Sequence, residues 1–281
     1  MRLHVFATLL LVACGGVAEH APVVADDVGV VDTGTSVETG PLDSGAADAI
    51  AETTDAASPG LRVLFVGNSY TYTNDLPAVL RRIAATAGAP PTIETAEVLV
   101  GGATLQSHWE TGEAPKRIDE KTWTHVVLQG QSLEPLFQPA VFQKFAKLFG
   151  ERATAAGARP TWFVTWARAP GDASFAETWS GATPEGMQDG LTAGYLAAAK
   201  VHGTSLVIEV GEAFRLVRGE KPALALHVDD RSHPTLAGTY LAACTFYLGL
   251  TGKPVPATSE VPTGLGVADA SYLRDASTRV K

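Results

Sequence analysis

The chain has 281 residues, is 46% hydrophobic, carries a net charge of −9 and contains only two cysteines, Cys14 and Cys244. That composition excludes a disulfide-dense scaffold, and the absence of a basic stripe leaves nucleic-acid binding without electrostatic support. Nine of the acidic residues fall between 15 and 60, so residues 61–281 sum to −1 and the acidity belongs to the N-terminal part.

Residues 1–14 combine Arg2, an apolar run over 5–13 and the end Leu11-Val12-Ala13-Cys14. The run is too short to span a bilayer and has the layout of an export signal. Its end resembles the bacterial lipobox, which implies lipid on Cys14 and, with Gly15 following, an outer-membrane address in the cell envelope. Residues 15–60 interleave acids with Ala, Val, Thr, Gly, Ser and Pro and lack aromatics, Lys and Arg. Such a segment buries too little apolar surface to offset its ordering entropy, which predicts a disordered acidic tether.

Residues 61–281 suit one α/β domain. Val63-Leu64-Phe65-Val66 predicts a strand covered on both faces, followed by the turn Gly67-Asn68-Ser69. Leu76, Val79, Leu80 and Ile83 place a helix over 75–87. A second strand ends over 97–100 and exits into Gly101-Gly102, and a short charged helix covers 113–121. The third strand, 124–128, runs into Gln129-Gly130-Gln131-Ser132; an amphipathic helix spans 138–156 and the fourth strand 161–166. A helix over 184–202, a fifth strand over 205–210 and a terminal apolar helix over 235–250 complete the alternation. Strands alternating with helices predict a parallel, doubly wound sheet of about five strands. Residues 252–281 either pack as an extension or stay loose. Cys244, among Leu241, Ala242, Ala243 and Phe246, reads as a buried inert thiol.

Two motifs carry chemistry. Ser69 leaves the carboxyl end of the first strand, where open α/β sheets place their ligands. Asp230-x-x-His233-Pro234 sets a carboxylate three residues before an imidazole, with the proline holding His233 outside the following helix. A serine hydroxyl needs a base to take its proton, and the base needs a carboxylate to fix its tautomer. Asp229 is the out-of-register alternative to Asp230.

This chain order resembles the SGNH, or GDSL-like, hydrolase superfamily over about 61–250. The resemblance implies a three-layer flavodoxin-like fold and an ester-hydrolysing triad of Ser69, His233 and Asp230. It also implies an oxyanion hole from the backbone of Ser69 and Gly102 and an Asn side chain from the third block. Here the chain departs from the pattern: its only asparagines are Asn68 and Asn74, both beside the nucleophile. Gln129-Gly130-Gln131-Ser132 resembles the Gln-Gly block of carbohydrate acetylesterases, which assigns the donor to Gln129, with Gln131 as the alternative.

Tyr70, His108 and Trp166, with Tyr72 and Trp109, are candidates to line a sugar-sized cleft. His108 and His125 lack metal-ligand spacing, so no metal is expected, and no other cofactor is expected either. The reading is a monomeric, lipid-anchored serine esterase acting on short acyl groups, acetyl above all, on glycans. The alternatives are a non-catalytic carbohydrate-binding lipoprotein on the same fold, or a lipase or transacylase for other acyl esters.

Overall fold

The protein is represented by a computed structural model that describes residues 60–88 and 91–280. The export signal, Cys14 and the tether, apart from Gly60, lie outside the described residues. Five strands, β1 (Leu61–Gly67), β2 (Ile93–Leu99), β3 (His125–Leu128), β4 (Arg159–Phe163) and β5 (Leu206–Ile208), form one sheet in the order β2-β1-β3-β4-β5. Every pairing is parallel. The helices are α1 (Ser69–Tyr72), α2 (Leu76–Thr86), α3 (Leu105–Thr111), α4 (Glu113–Ile118), α5 (Glu134–Phe137), α6 (Pro139–Ala155), α7 (Pro184–Lys200), α8 (Val210–Glu220), α9 (Leu236–Thr251) and α10 (Val267–Ser277).

The unbroken apolar run of β1 follows from burial on both faces. Successive side chains alternate across a strand. Val63 and Phe65 therefore join Val127, Phe163 and Ile208 in a core shared with α2, α8, α9 and α10. Leu64 and Val66 point the other way, to Val126, Leu128 and Trp162 and the apolar faces of α6 and α7. The long α9, apolar on nearly every side, packs against the sheet beside α2 and α8, contacts α10 as well, and is buried almost throughout. Among the described residues, no helix is long and apolar enough to cross a membrane.

The chain passes from β1 to β2 on one side and then returns to place β3 on the other. That reversal opens a crevice at the carboxyl ends of β1 and β3, the position where doubly wound sheets bind ligands.

The differences from the sequence-based expectations are local. β4 stops at Phe163, leaving Trp166 beyond the strand, and β5 is confined to 206–208. The end expected for the fifth strand is instead the start of α8, which buries Val210, Ala213, Phe214 and Val217 at helical spacing. An additional helix, α3, is preceded by the N-cap Thr104, whose side chain and that of Ser107 cap each other's backbone N–H groups. Residues 252–280 pack: α10 buries Ala270, Leu273 and Ala276 against α8 and α9.

Candidate active site

The turn after β1 is held from inside the protein. Gly67 has no room for a side chain, because a Cβ there would sit 2.6 Å from Gln129 Oε1. Asn68 is buried and uses its whole hydrogen-bonding capacity. Its backbone N–H donates to Gln129 Oε1 (3.1 Å), and its Oδ1 accepts from Tyr70 N (3.1 Å) and Gln129 Nε2 (2.7 Å). Its Nδ2 donates to the carbonyls of Ala103 (3.0 Å) and Gly130 (3.2 Å). One side chain thereby joins the exits of β1, β2 and β3. Ser69 follows as the first residue of α1, half-buried, with its hydroxyl turned toward the crevice.

The second segment, 227–234, folds on itself. Arg231, at φ +61°, closes a turn by donating its N–H to Val228 O (2.9 Å), and Val228 N donates to His233 O (2.9 Å). Asp230 Oδ1 accepts from the backbone N–H groups of Ser232 (2.8 Å) and His233 (2.9 Å). Its other oxygen lies 2.5 Å from His233 Nδ1. Aspartates in turns bond their own backbone in this way, which is why an Asp-x-x-His spacing aims a carboxylate at an imidazole. Pro234 keeps His233 extended, and Thr235 caps α9 by accepting from Gly238 N (3.2 Å).

The two segments meet at a hydrogen bond of 2.9 Å between His233 Nε2 and Ser69 Oγ. A carboxylate accepts only, so Nδ1 carries the proton and Nε2 is left to accept from the serine hydroxyl. Partial burial pushes the Asp230 pKa up, but hydrogen bonds from the His233 ring and from the backbone N–H groups of Ser232 and His233 outweigh it and hold the carboxyl at about 2. Asp229 makes no contact with this imidazole among the described residues; Asp230 is the partner.

The crevice is a pocket of about 350 Å³ bounded by Asn68, Ser69, Tyr70, Tyr72, Gly101, Gly102, Gln131, Ser132, Arg168, Ser232 and His233. Gly102 adopts φ +68°, a left-handed turn where glycine costs least. Neither the Ser69 nor the Gly102 backbone N–H has an acceptor among the described residues.

Three of the expected site residues lie elsewhere. Gln129 is fully buried beneath the pocket, and its carbonyl oxygen accepts from Asn68 N and Thr71 Oγ1 (2.8 Å). That fixes its amide orientation, so Nε2 donates to Asn68 Oδ1 and Gly130 O (2.8 Å) and neither proton reaches the pocket. Gln131 lines the pocket instead; its Oε1 accepts from Leu133 N (3.1 Å), leaving Nε2 without an acceptor among the described residues. His108 is buried and donates from Nε2 to Gly67 O (2.8 Å); burial pulls its pKa down despite that bond. Trp166 is buried between two rings, stacked on Tyr70 and on Phe214 at 4.3 Å each, and its Nε1 donates to Ser232 O (3.0 Å). It underlies the site rather than facing the pocket. Tyr70 does border it, with its hydroxyl 3.1 Å from Ser232 Oγ, whereas Trp109 packs edge-on against Phe149.

Sequence reasoning missed Arg168, Ser132 and Ser232. For Arg168 a signal existed: a cation just past the end of the fourth strand lies on the edge that carries Ser69, Gly102 and Gln131. Buried Glu134 also escaped notice. Its Oε2 accepts from Leu105 N (3.3 Å) and Gln131 N (3.0 Å), tying α3 to the Gln131 loop, and burial raises its pKa.

The parallel sheet order β2-β1-β3-β4-β5, with Ser69 and His233 at its carboxyl edge, agrees with the SGNH resemblance, and similarity to solved structures supports the same fold. A Slackia heliotrinireducens protein described as a candidate SGNH hydrolase matches at 26% identity and TM-score 0.56, covering 68% of this chain and 99% of its own. A DUF4886 family protein from Bacteroides uniformis matches at 19% identity and TM-score 0.64, covering 78% and 93%. An acetyl xylan esterase matches at 14% identity and TM-score 0.54, covering 66% and 98%. No protein-family model matches the chain, and neither does any curated protein sequence. The chain has the SGNH, or GDSL-like, hydrolase fold.

Proposed function

We propose that the protein is a serine ester hydrolase that removes short acyl groups, acetyl foremost, from carbohydrate, and that lipid on Cys14 anchors it in the cell envelope. The observation carrying the enzymatic reading is the hydrogen-bonded series Asp230–His233–Ser69 at the mouth of a polar pocket.

Ser69 Oγ attacks the acyl carbon while His233 Nε2 takes the hydroxyl proton, and the carbonyl oxygen becomes an oxyanion. The backbone N–H groups of Ser69 and Gly102 receive that charge, with Gln131 Nε2 as the side-chain donor in place of the family's asparagine. His233 then gives its proton to the departing sugar oxygen as the carbon–oxygen bond breaks. Water repeats the sequence on the acyl-enzyme, passing one proton to His233 and releasing the acid and free Ser69. Throughout, Asp230 stays ionised and stabilises the imidazolium.

A short acyl group is favoured because the pocket is small and, beside Tyr70 and Tyr72, is bounded by Asn, Ser, Gln, Arg, His and Gly, with no aliphatic side chain to hold a longer one. The likeness to a protein described as an acetyl xylan esterase supports an acetylated sugar. Labelling with a fluorophosphonate should modify Ser69, and acetate release from p-nitrophenyl acetate and acetylated xylo-oligosaccharides should vanish in Ser69→Ala. Hydrolysis that survives that substitution would remove the acyl-enzyme. The inward-facing amide of Gln129 favours one rival, a non-catalytic glycan-binding protein; glycan binding without Ser69 labelling would select it. Incorporation of palmitate that persists in Cys14→Ala would remove the anchor.

A further inference from the structure

Among the described residues Arg159, Arg168, Arg231 and Arg274 have no carboxylate within ion-pair distance, and of these four only Arg168 borders the pocket of Ser69. Eight others in the described residues, including Arg62, Arg152 and Arg215, face a carboxylate within ion-pair distance. Arg168 has none, although it is half-buried and borders the pocket that holds Ser69 and His233. Its Nη1 donates to Tyr70 Oη (2.5 Å) and its Nη2 to Ser132 Oγ (3.1 Å), both neutral acceptors. Those bonds occupy two of the five N–H donors of a guanidinium. Tyr70 is itself locked by stacking on Trp166, and Trp166 by stacking on Phe214. The cation is therefore held in place on a rigid support without being neutralised.

Nothing else in the pocket wall offsets the charge. The lining contains no Asp or Glu, and the nearby Asp230 carboxylate is taken up by His233. Partly removing a guanidinium from water without a counter-ion costs free energy that an anionic ligand recovers. Resting on the esterase reading above, we infer that Arg168 is a specificity-determining residue and that the preferred substrate is an acyl ester on a carboxylate-bearing carrier, such as an acidic sugar. A single planar cation with an unused donor edge matches one planar carboxylate better than a phosphate dianion, for which two or more positive groups would be expected. The carboxylate sits on Arg168 while the acyl carbonyl of the same molecule faces Ser69.

The test uses two probes that differ in that charge and one added methyl group: methyl 3-O-acetyl-glucuronoside as the free acid and as its methyl ester. Acetate release from the wild-type protein should favour the acid by roughly 10- to 100-fold in kcat/KM, the worth of a hydrogen bond to a charged group. The difference should lie mainly in KM, because Arg168 holds the carrier and not the reacting carbon. It should shrink as ionic strength rises. Arg168→Gln should bring the ratio close to one, and Arg168→Lys should recover part of it, whereas loss of a structural prop would lower both rates together and leave the ratio intact. Equal rates on the two probes in the wild type, or a ratio unmoved in Arg168→Gln, would overturn the inference while leaving Ser69 labelling and the esterase reading untouched. Absence of Ser69 labelling together with no acetate release would remove both. Should Ser69 be labelled with neither probe cleaved, protection against labelling decides: sodium glucuronate slowing it more than its methyl ester supports the assignment, and equal effects overturn it.

Discussion

Two stretches of chain meet at the Ser69 hydroxyl, and they are held in opposite ways. The turn at 67–72 is anchored by buried bonds to residues more than 30 positions away, at Ala103, Gln129 and Gly130. The Asp230 carboxylate makes all its bonds within three residues, and the Asp230 and His233 side chains are 46% and 37% exposed. The position of Ser69 is thus a property of the packed interior, while His233 and Asp230 form a local unit that the fold carries to the serine. Substitutions in the first stretch should register in stability, and those in the second in activity and in its response to acid.

The proposed catalytic groups should give the largest effects. Ser69→Ala is expected to lower kcat on the order of 10⁶-fold with little change in melting temperature, since its hydroxyl contributes no buried structural bond. Asp230→Asn should cost about 10⁴-fold in kcat by presenting the wrong tautomer of His233. The same substitution tests the acid response. The Asp230 pKa is lower in the folded state, so its contribution to stability is present above the ordinary value of 3.8 and is lost as pH falls through about 2. Denaturant titrations at descending pH should therefore show a decline in the wild type that is shallower in Asp230→Asn. An equal decline in the two proteins would place the acid sensitivity elsewhere.

The two glutamines sharpen the contrast within one short loop. Gln131→Ala should reduce kcat by ~10²–10³ while changing stability by about 1 kcal/mol or less, as expected for a donor aimed at the oxyanion. Gln129→Leu should do the reverse and lower stability by about 3 kcal/mol. It strands the Asn68 N–H and the Thr71 hydroxyl in the interior. Parallel kinetics and urea unfolding would separate them, and the opposite pattern would return the donor role to Gln129. The smallest effect belongs to Tyr70→Phe, which removes the hydroxyl shared by Ser232 and Arg168 and should cost about 1 kcal/mol in unfolding free energy.

Much of the architecture was legible because periodicity reports burial. Four apolar residues in a row in β1 and the spacing of Leu76, Val79, Leu80 and Ile83 announced a two-sided sheet with helices over it. The helices α8 and α10 carried the same signal at Ala213, Phe214 and Val217 and at Ala270, Leu273 and Ala276, and were passed over beside stronger neighbours. The Asp230–His233 pairing was legible too, because a three-residue spacing closed by proline is a local geometry.

His108, Trp166 and Gln129 were misplaced for one physical reason. A polar or aromatic residue near a strand exit can point into the crevice or beneath it, and in both cases its polar atom needs a partner. Only folding supplied those partners: Gly67 O for His108, Ser232 O for Trp166, and Asn68, Thr71 and Gly130 for Gln129. The sequence by itself determined the layers of the fold, the order of its strands along the chain and the shape of the Asp-x-x-His turn, since each follows from local spacing and burial. Tertiary structure alone decided which glutamine faces the pocket, that an unpaired guanidinium joins it, and that Ser69 and His233 come within a hydrogen bond, because contacts across so many residues are set by packing and leave no periodic mark in the chain.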